Sequence, residues 1–325
     1  MSDKLYAGMD IGGTKLYAVI CDSKGNIIGS ERKKTKPEKG FDGVMSRVEE
    51  VIQEACVNAN VDIKKIHAIG VGAPSPILPN GVAVSAPNMG WSNVPLVKSL
   101  EKRLGKPVFA ENDCNAGVYG EYVLGAGKGA KSLVGFFMGT GLGGGIVING
   151  NIITGVNHMA AELGHMVVTV NGRPCGCGKK GCLEAYASKV GMGQRFKELI
   201  IKEKKKSCIT KECEGDYTNI RSKILREAYE ANDKIVVDVL NESAEYLGIG
   251  IGNIITLLGP DRIVLGGGVL EELGGYLLER IKNTAKQHTH PQISFNDTEI
   301  LLAKLGDNAV ALGAVMYALR CIHVK

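Results

Sequence analysis

One short segment combines three cysteines and a histidine at a spacing that suits a metal ion. His165, Cys175, Cys177 and Cys182 follow the pattern His-x9-Cys-x-Cys-x4-Cys, with glycines between the cysteines that allow tight turns. Three thiolates and one imidazole make up a tetrahedral shell of the kind that structural zinc sites use. The alternative is a set of reduced cysteines with a core histidine, but the segment has little apolar content for a core. The pattern predicts a structural Zn²⁺ site.

Two carboxylates flank this cluster. Glu162 precedes the first ligand by three residues, and Glu184 follows the last ligand by two. A zinc ion that fixes the segment would also fix both carboxylates, which suits side chains that hold the hydroxyl groups of a polyol. The predicted metal therefore shapes a binding site without touching the chemistry.

Two glycine-bearing turns between predicted strands suggest phosphate binding. The first is Asp10-Ile-Gly12-Gly13-Thr14, and the second is Gly139-Thr140-Gly141. Each presents backbone N–H groups and a threonine hydroxyl, which can form an anion-binding concavity. Taken singly, each turn has an ordinary hairpin as its alternative. Together they predict a polyphosphate site, with the carboxylate of Asp10 holding Mg²⁺ directly or through water.

The second turn also matches a dinucleotide-binding motif, which we exclude. Gly139-x-Gly141-x-x-Gly144 has the required spacing, but that motif needs a helix directly after the loop. The following residues, Ile-Val-Ile-Asn, predict a strand instead. A nicotinamide cofactor is therefore not expected.

The predicted elements place these residues in two similar halves. The first half is expected to contain strands at 5–10, 16–21, 27–31, 66–72 and 107–110, with helices at 41–59 and ending near 105. The second half is expected to contain strands at 133–138, 146–149 and 261–265, with helices at 186–206, 216–230, 233–258 and 270–286. The strand ending at Ala110 delivers Glu111, Asn112 and Asp113 at its carboxyl end, where open α/β sheets bind ligands.

This order predicts an α/β protein with an actin-like ATPase, or ribonuclease H-like, fold. We expect an N-terminal α/β domain at 1–120, against which a C-terminal helix at 308–325 packs back. A second α/β domain with the zinc loop is expected at 121–307, with a cleft between the two domains.

Composition narrows the possible partners. The 325 residues are 44% hydrophobic and carry a net charge of +5, so two cores are expected and nucleic acid binding gains no support. The start of the sequence lacks a charged and apolar leader, and no apolar run approaches membrane-spanning length. We therefore predict a cytoplasmic protein with no membrane partner. Its scattered cysteines suit a reducing compartment.

Laid out together, these motifs resemble the ROK family of sugar kinases and repressors, nearly end to end. The matching segments are Asp10-Ile-Gly-Gly-Thr-Lys15, Gly70-Val-Gly-Ala-Pro-Ser-Pro, Pro87-Asn-Met-Gly-Trp91, Glu111-Asn-Asp113, Gly139-Thr-Gly-Leu-Gly-Gly-Gly145, Glu162-Leu-Gly-His165 and Cys175-Gly-Cys-Gly-Lys-Lys-Gly-Cys-Leu-Glu184. The bacterial glucokinase branch is the most similar. The resemblance implies an actin-like fold, MgATP as donor, and phosphorylation of a small-molecule hexose at its 6-hydroxyl, most simply glucose to glucose 6-phosphate. It also implies a homodimer or homotetramer.

The resemblance assigns roles to residues at the sugar. Asp113 corresponds to the general base, and a carboxylate there can accept the proton of the attacking hydroxyl, which typically contributes roughly 10²–10⁴-fold. Asn112, Glu162, His165 and Glu184 correspond to sugar contacts, with His165 binding zinc through its other ring nitrogen. The alternative for Asp113 is a helix N-cap, and both roles are compatible.

The remaining assignments are looser. The resemblance adds Lys15 to the nucleotide loop, places Gly72 and Asn88 at the sugar pocket, and places Gly267 and Gly268 beside the adenosine. Ordinary turns remain the alternative for Asn88 and for the two later glycines.

Three departures from the family pattern, Ser75, Cys114 and Ala161, bear on the sugar more than on the reaction class. N-acetylmannosamine, N-acetylglucosamine, fructose or allose are alternative substrates. Repressors of the family place a winged helix-turn-helix before the phosphate hairpin, whereas this sequence reaches Asp10 almost at once, so a kinase is favoured over a sugar sensor. An actin-like filament protein or chaperone ATPase would leave the zinc segment unexplained.

Overall fold

The computed structural model describes residues 4–213 and 215–324, which form two compact units. The first unit contains the chain up to Gly129, Asn151–Ala160, and the chain from Asp307 onward. The second unit contains Ala130–Gly150 and Ala161–Gly306. The sequence predicts a first domain at 1–120 with the C-terminal helix at 308–325 packed against it; in the structure, residues 121–129 and 151–160 also belong to the first unit.

The described strands and helices alternate along the chain. The strands are β1 (Leu5–Ile11), β2 (Lys15–Asp22), β3 (Ile27–Lys34), β4 (Ile66–Ala73), β5 (Ala83–Ala86), β6 (Trp91–Val94), β7 (Val108–Asn112), β8 (Ser132–Met138), β9 (Leu142–Ile148), β10 (Asn151–Ile152), β11 (Arg262–Gly266) and β12 (Glu299–Leu302). The helices are α1 (Gly40–Asn58), α2 (Leu96–Leu104), α3 (Asp113–Val123), α4 (Lys189–Lys197), α5 (Ser222–Glu230), α6 (Lys234–Leu258), α7 (Gly268–His288), α8 (Gln292–Asn296) and α9 (Ala309–Val324).

The first unit is built on a mixed sheet with the strand order β3-β2-β1-β4-β7. Strand β1 pairs with β2 in antiparallel and with β4 in parallel orientation, and β4 pairs in parallel with β7. The inner strands are almost continuously apolar because helices cover both faces of the sheet. Helix α1 contributes an apolar face with helical spacing: Val44, Val48, Val51, Ile52 and Ala55.

The C-terminal helix α9 lies very close to this sheet. A β-carbon on Gly8 of β1 would come within 2.2 Å of the carbonyl oxygen of Ala311. One on Gly70 of β4 would come within 2.0 Å of the carbonyl oxygen of Ala314. Glycine at these two positions therefore allows the helix backbone to rest directly on the central strands.

The second unit has the strands β9-β8-β11-β12 in that order. Strands β8 and β9 are antiparallel, whereas β11 pairs in parallel with both β8 and β12. The sequence predicts a glycine loop that continues to Gly145, but β9 already begins at Leu142. Gly143, Gly144 and Gly145 pair with β8, because a glycine strand can approach a neighbouring backbone closely.

Two helices of the second unit also differ from their predicted bounds. The helix predicted at 186–206 is α4 followed by a π-helical turn, Glu198–Lys202, and the helix predicted at 216–230 starts only at Ser222. A short 3₁₀ turn, Tyr217–Asn219, stands before it, with the side chain of Asp216 capping that turn. Among the described helices, none has the length and apolarity that crossing a membrane requires.

Candidate functional site

The register of three parallel strands aligns several predicted site residues in the first unit. Asp10 on β1 is paired with Gly72 on β4, and Gly72 is paired with Glu111 on β7. Asn112 ends β7, and Asp113 begins α3 directly after it. The carboxyl edge of the sheet therefore brings together side chains that lie about a hundred residues apart in sequence, as the sequence predicts.

Asp113 is held by hydrogen bonds to one carboxylate oxygen. Its Oδ1 accepts from the backbone N–H of Cys114 at 2.8 Å and from Nδ2 of Asn112 at 3.1 Å. Burial raises the pKa of Asp113 above its usual value, and the bonds from Cys114 and Asn112 partly offset this. A raised pKa brings a carboxylate closer to the range in which it can exchange protons near neutral pH.

The N-cap of α3 is Asn112 and not Asp113. The Asn112 side chain accepts from the backbone N–H of Asn115 at 3.1 Å, and Asp113 is the first helical residue. The alternative of Asp113 as an N-cap is therefore wrong, because the cap lies one residue earlier. Asn112 was predicted only as a sugar contact, and its amide is already committed to the helix start and to Asp113.

The Asp10 carboxyl carries an unusually high pKa of about 7. Burial is the main cause, followed by the negative charge of Asp113, while Lys15 lowers the pKa and Asp307 raises it. The effect of Asp113 on the pKa of Asp10 means that two carboxylates lie near each other with too little positive charge to balance them. Oxygen ligands of this kind fit Mg²⁺, which usually takes one or two protein carboxylates and completes its shell with water and phosphate.

The turn after Asp10 is tight and closed by its own backbone. The N–H of Gly12 donates to the carbonyl of Lys15 at 2.9 Å, and a β-carbon on Gly12 would come within 2.9 Å of that oxygen. The N–H of Thr35 donates to the carbonyl of Thr14, and its hydroxyl donates to the carbonyl of Gly12. Glycine at 12 is thus required by the closeness of the turn.

Asn88 lies near this turn. It is an exposed residue on the short 3₁₀ helix Pro87–Met89, and a β-carbon on Gly13 would be 4.0 Å from the Asn88 Cβ. The structure thus brings together the predicted nucleotide turn and one predicted sugar residue. Asn88 thus occupies a turn, and its sugar contact stays a prediction.

A group of charges around Lys15 was not predicted from the sequence. Asp307 accepts from Lys15 Nζ at 3.4 Å and from Arg32, whose guanidinium lies 4.1 Å from the ring centre of Tyr17. The hydroxyl of Tyr17 donates to Asn308 at 2.6 Å. The strand register would have paired Tyr17 with Arg32. No local pattern links them to a residue about 275 positions later.

The four predicted metal ligands of the second unit come together. One ligand atom from each of His165, Cys175, Cys177 and Cys182 lies within 4.8 Å of the others. Cys175 Sγ lies 3.7 Å from His165 Nδ1, and Cys177 Sγ lies 3.7 Å from Cys182 Sγ. A tetrahedral ion with Zn–S bonds of about 2.3 Å separates its sulfur ligands by roughly 3.8 Å, so the donor set and its spacing fit zinc.

The cysteine turn is shaped by its backbone. The N–H of Cys175 donates to the carbonyl of Lys179 at 2.8 Å, and a bridge joins Pro174 to Lys180. The backbone N–H of Lys179 bonds to Cys177, and this lowers the pKa of that thiol. Gly181 adopts a positive φ of 79°, and a β-carbon there would come within 1.8 Å of the Thr169 carbonyl.

Glu184 joins the metal cluster to the second glycine turn. Its Oε2 accepts from the N–H of Leu142 at 3.0 Å, and its Oε1 accepts from the thiol of Cys175 at 3.5 Å. A β-carbon on Gly141 would come within 2.5 Å of Oε2. The carbonyl of Thr140 accepts from Val190 at the start of α4, so the turn is tied both to the cluster and to a helix.

Glu162 stands one short turn before the histidine ligand. Its carbonyl accepts from the N–H of His165 at 2.9 Å, and Leu163–His165 forms a 3₁₀ turn. Ala161 before it has a φ of 66°, where glycine is normally preferred. Glu162 therefore caps the same 3₁₀ turn that carries the predicted metal ligand His165.

The two glycines that are predicted to lie beside the adenosine have a backbone role. Gly267 has a φ of 87°, and a β-carbon there would come within 2.6 Å of the Met138 carbonyl on β8. The predicted turn at 266–268 is narrower than expected, because Gly266 ends β11 and Gly268 begins α7. The nucleotide contact of Gly267 and Gly268 stays a prediction.

Comparison with known proteins places this geometry in context. The sequence model of the ROK family matches residues 6–320. The chain is 35% identical to a glucokinase from Halalkalibacterium halodurans, over 96% of this chain and 94% of that protein. It is also 31% identical to a xylose repressor from Bacillus spizizenii, over 94% of this chain and 74% of the repressor.

Solved structures give the same result. The fold is similar to a ROK family glucokinase from Streptomyces griseus in complex with glucose and AMPPNP, with a TM-score of 0.81 and 32% identity over 96% of this chain and 98% of that one. A ROK hexokinase from Thermus thermophilus has a TM-score of 0.81 at 28% identity, over 99% of this chain and 100% of that one. This likeness confirms the predicted actin-like α/β fold.

Proposed function

Because the chain belongs to the ROK family, we propose that it is an ATP-dependent hexose kinase that phosphorylates glucose at the 6-hydroxyl. The main support is the arrangement at the carboxyl edge of the first sheet, where Asp113 lies beside Asp10 and a tight glycine turn. A base and an anion-binding turn next to each other are what phosphoryl transfer to a hydroxyl requires.

In this proposal Asp113 accepts the proton of the attacking hydroxyl. Its Oδ1 is oriented by Cys114 and Asn112, and its raised pKa favours proton uptake as the hydroxyl oxygen attacks phosphorus. Gly12, Gly13, Thr14 and the Lys15 ammonium bind the phosphates of ATP. The family resemblance adds Thr140, Gly141, Gly267 and Gly268 on the second unit as nucleotide contacts.

Asp10 is the residue that would hold Mg²⁺, because its carboxyl is close to Asp113 and has a strongly raised pKa. When bound, the Mg²⁺ ion supplies positive charge to the phosphates.

A structural Zn²⁺ would be held by four residues, His165, Cys175, Cys177 and Cys182. The N–H of Leu142 donates to Glu184, and Glu162 shares the turn of His165, so both carboxylates are held for sugar hydroxyls beside the cluster. Gly72 and Asn88 complete the proposed sugar contacts.

A coupled ADP-release assay over a panel of hexoses tests the proposal. We expect the highest kcat/KM with glucose among glucose, fructose, allose, N-acetylmannosamine and N-acetylglucosamine. A different preferred sugar would replace glucose but keep the reaction class. No ADP release above the sugar-free control, with every sugar, would remove the kinase assignment.

A sugar sensor without turnover is the second candidate, since the xylose repressor is 31% identical. Calorimetric binding of glucose or xylose, with no ADP release in the same sample, would favour it. The predicted homodimer or homotetramer stays a prediction that light scattering can measure.

A further inference from the structure

One buried carboxylate next to the proposed base has no role in the reaction as described so far. Glu111 is only 6% exposed and lies directly before Asn112 and Asp113. Its Oε1 accepts from the backbone N–H of Asn112 at 2.9 Å and from Nδ2 of Asn115 at 3.1 Å. A single oxygen thus holds the residues on both sides of Asp113.

These two residues in turn hold Asp113 and the helix start. Asn112 donates from Nδ2 to Asp113 Oδ1, and its own Oδ1 accepts from the backbone N–H of Asn115. Asn112 and Asn115 therefore form a closed ring of hydrogen bonds with Glu111 as the shared acceptor. A displacement of Glu111 would be transmitted to the Asp113 carboxylate through Asn112 and through the first turn of α3.

The other side of Glu111 is anchored to the C-terminal helix. Burial raises the pKa of Glu111, whereas hydrogen bonds from Asn115 and Asn112, the charge of His158, and a hydrogen bond from Tyr317 on α9 lower it. Glu111, His158, Tyr317 and Arg320 also line a cavity of about 540 Å³ within the first unit. The carboxylate is thus a fixed junction between α9 and the strand that ends at the base.

Burying a carboxylate costs free energy unless its acceptors are used, and an apolar residue of similar size would pack at lower cost. The cost is offset here by at least two strong acceptor contacts, both of which orient the residues around Asp113. We propose that Glu111 is a positioning residue that sets the orientation of Asn112 and Asp113 toward the acceptor hydroxyl. This inference rests on the proposed function of Asp113 as the base.

The test compares four variants by steady-state kinetics, with active protein quantified by folded fraction. Glu111→Ala removes the shared acceptor, and we expect kcat to fall by about 10- to 100-fold, the size of effect that a misplaced catalytic group produces. The KM for ATP should stay within about threefold, because Glu111 does not contact the nucleotide turn. Glu111→Gln keeps an oxygen for Asn112 and Asn115, so it should restore kcat to within about threefold of the wild type.

Glu121→Gln is the matched control. Glu121 is a fully buried carboxylate on α3, the helix that Asp113 begins, and its Oε2 accepts from the N–H of Ala126 at 2.8 Å, away from Asp113. We expect this variant to melt at a lower temperature with an unchanged kcat per folded molecule. Tyr317→Phe, which removes one contact to Glu111 without emptying the site, should lower kcat less than Glu111→Ala does and serves if the alanine variant does not fold.

A readout without turnover separates this inference from the proposed function. The amide proton resonance of Asn112, which bonds to a carboxylate oxygen, should move upfield in Glu111→Ala and stay near its place in Glu111→Gln. If no hexose is phosphorylated by the wild type, the kinase proposal fails while this measurement still decides the positioning role. An unmoved Asn112 resonance, a Glu111→Ala kcat within twofold of the wild type, or an equal kcat loss in Glu121→Gln would each overturn it.

Discussion

Asp10 lies near the end of β1 and Asp113 directly follows β7, two strands that both pair with β4. The four candidate metal ligands instead lie in a segment with almost no regular secondary structure. Below the carboxylates, β1 and β4 carry fully buried side chains such as Met9, Ile11 and Val71. The sheet therefore fixes the first site without help from any ligand. This arrangement costs electrostatic free energy, because two carboxylates are held near each other at a partly desolvated edge of the sheet.

The segment from His165 to Cys182, in contrast, is held by little regular structure and little apolar packing. Its pairings are isolated bridges, Val167 to Cys182 and Pro174 to Lys180, and its local apolar cluster is small. A segment with so little buried apolar surface depends on other interactions to stay ordered, and four convergent metal ligands can supply them. The carboxylate site of the first unit is thus ordered by the fold, whereas the cysteine segment of the second unit is expected to depend on an ion.

The largest expected effect tests whether Asp113 contributes to turnover without contributing to the folding of the first unit. Asp113→Asn should lower kcat by roughly 10²–10⁴-fold, because the amide cannot accept the hydroxyl proton. The melting temperature should not fall and the glucose affinity should change little, since the residue directly follows a strand that the sheet fixes by itself. Kinetics, calorimetry and thermal melting on the same preparation measure all three. Unchanged turnover would take Asp113 out of the mechanism.

The second prediction concerns the ion-dependent region. Cys177→Ser should reduce the zinc content from about one per chain to near zero and should weaken sugar binding by roughly 10- to 100-fold, since flanking groups lose their orientation. Hydrogen exchange should speed up in 161–187 and stay slow in β1 and β4. Elemental analysis and exchange mass spectrometry measure this.

Cys208→Ser supplies the control, because this exposed cysteine lies outside the metal cluster. It should leave the zinc content and the exchange rates as they are. Active wild-type protein that contains no zinc would show that the cysteine segment does not need an ion to stay ordered.

The smallest expected effect concerns the free energy of unfolding that the buried charge of Asp10 removes. Folded Asp10 has a pKa of about 7 against 3.8 as its ordinary value, mainly because of burial. The folded state therefore binds this proton more tightly, and the stability gained below about pH 4 is lost as the pH rises through about 7. Asp10→Asn removes the buried charge, so it should raise the melting temperature by roughly 2–6 °C at pH 8 and by about nothing at pH 4.

Thermal melts without added Mg²⁺ measure this difference. A stabilisation of equal size at both pH values would mean that the charge of Asp10 is not the cause.

The sequence predicts what is local in this molecule. The ligand spacing around Cys175 and the strand ends at Asp10 and Asp113 each depend on a few neighbouring residues, so their patterns are visible before folding. The extension of β9 through three glycines was not predicted, because glycine has no side chain with which to signal a strand. The N-cap at Asn112 was missed because Asn and Asp both serve as caps.

Interactions between segments far apart in the sequence could not be predicted for a different reason. The bond between Arg32 and Asp307, and that between Glu111 and Tyr317, join residues that only tertiary packing brings together. Their side chains carry no periodicity or spacing that specifies a partner. A sequence read without a fold can place the groups that do chemistry more readily than the groups that orient them.

The close contact of α9 with Gly8 and Gly70 has a consequence for synthesis on the ribosome. The helix that supports β1 and β4 is made about 240 or more residues after those strands, so they emerge long before their cover exists. The second unit consists mainly of the uninterrupted stretch Ala161–Gly306 and can complete its folding first. We expect nascent chains stopped before Asp307 to leave an apolar sheet face uncovered and to recruit chaperones.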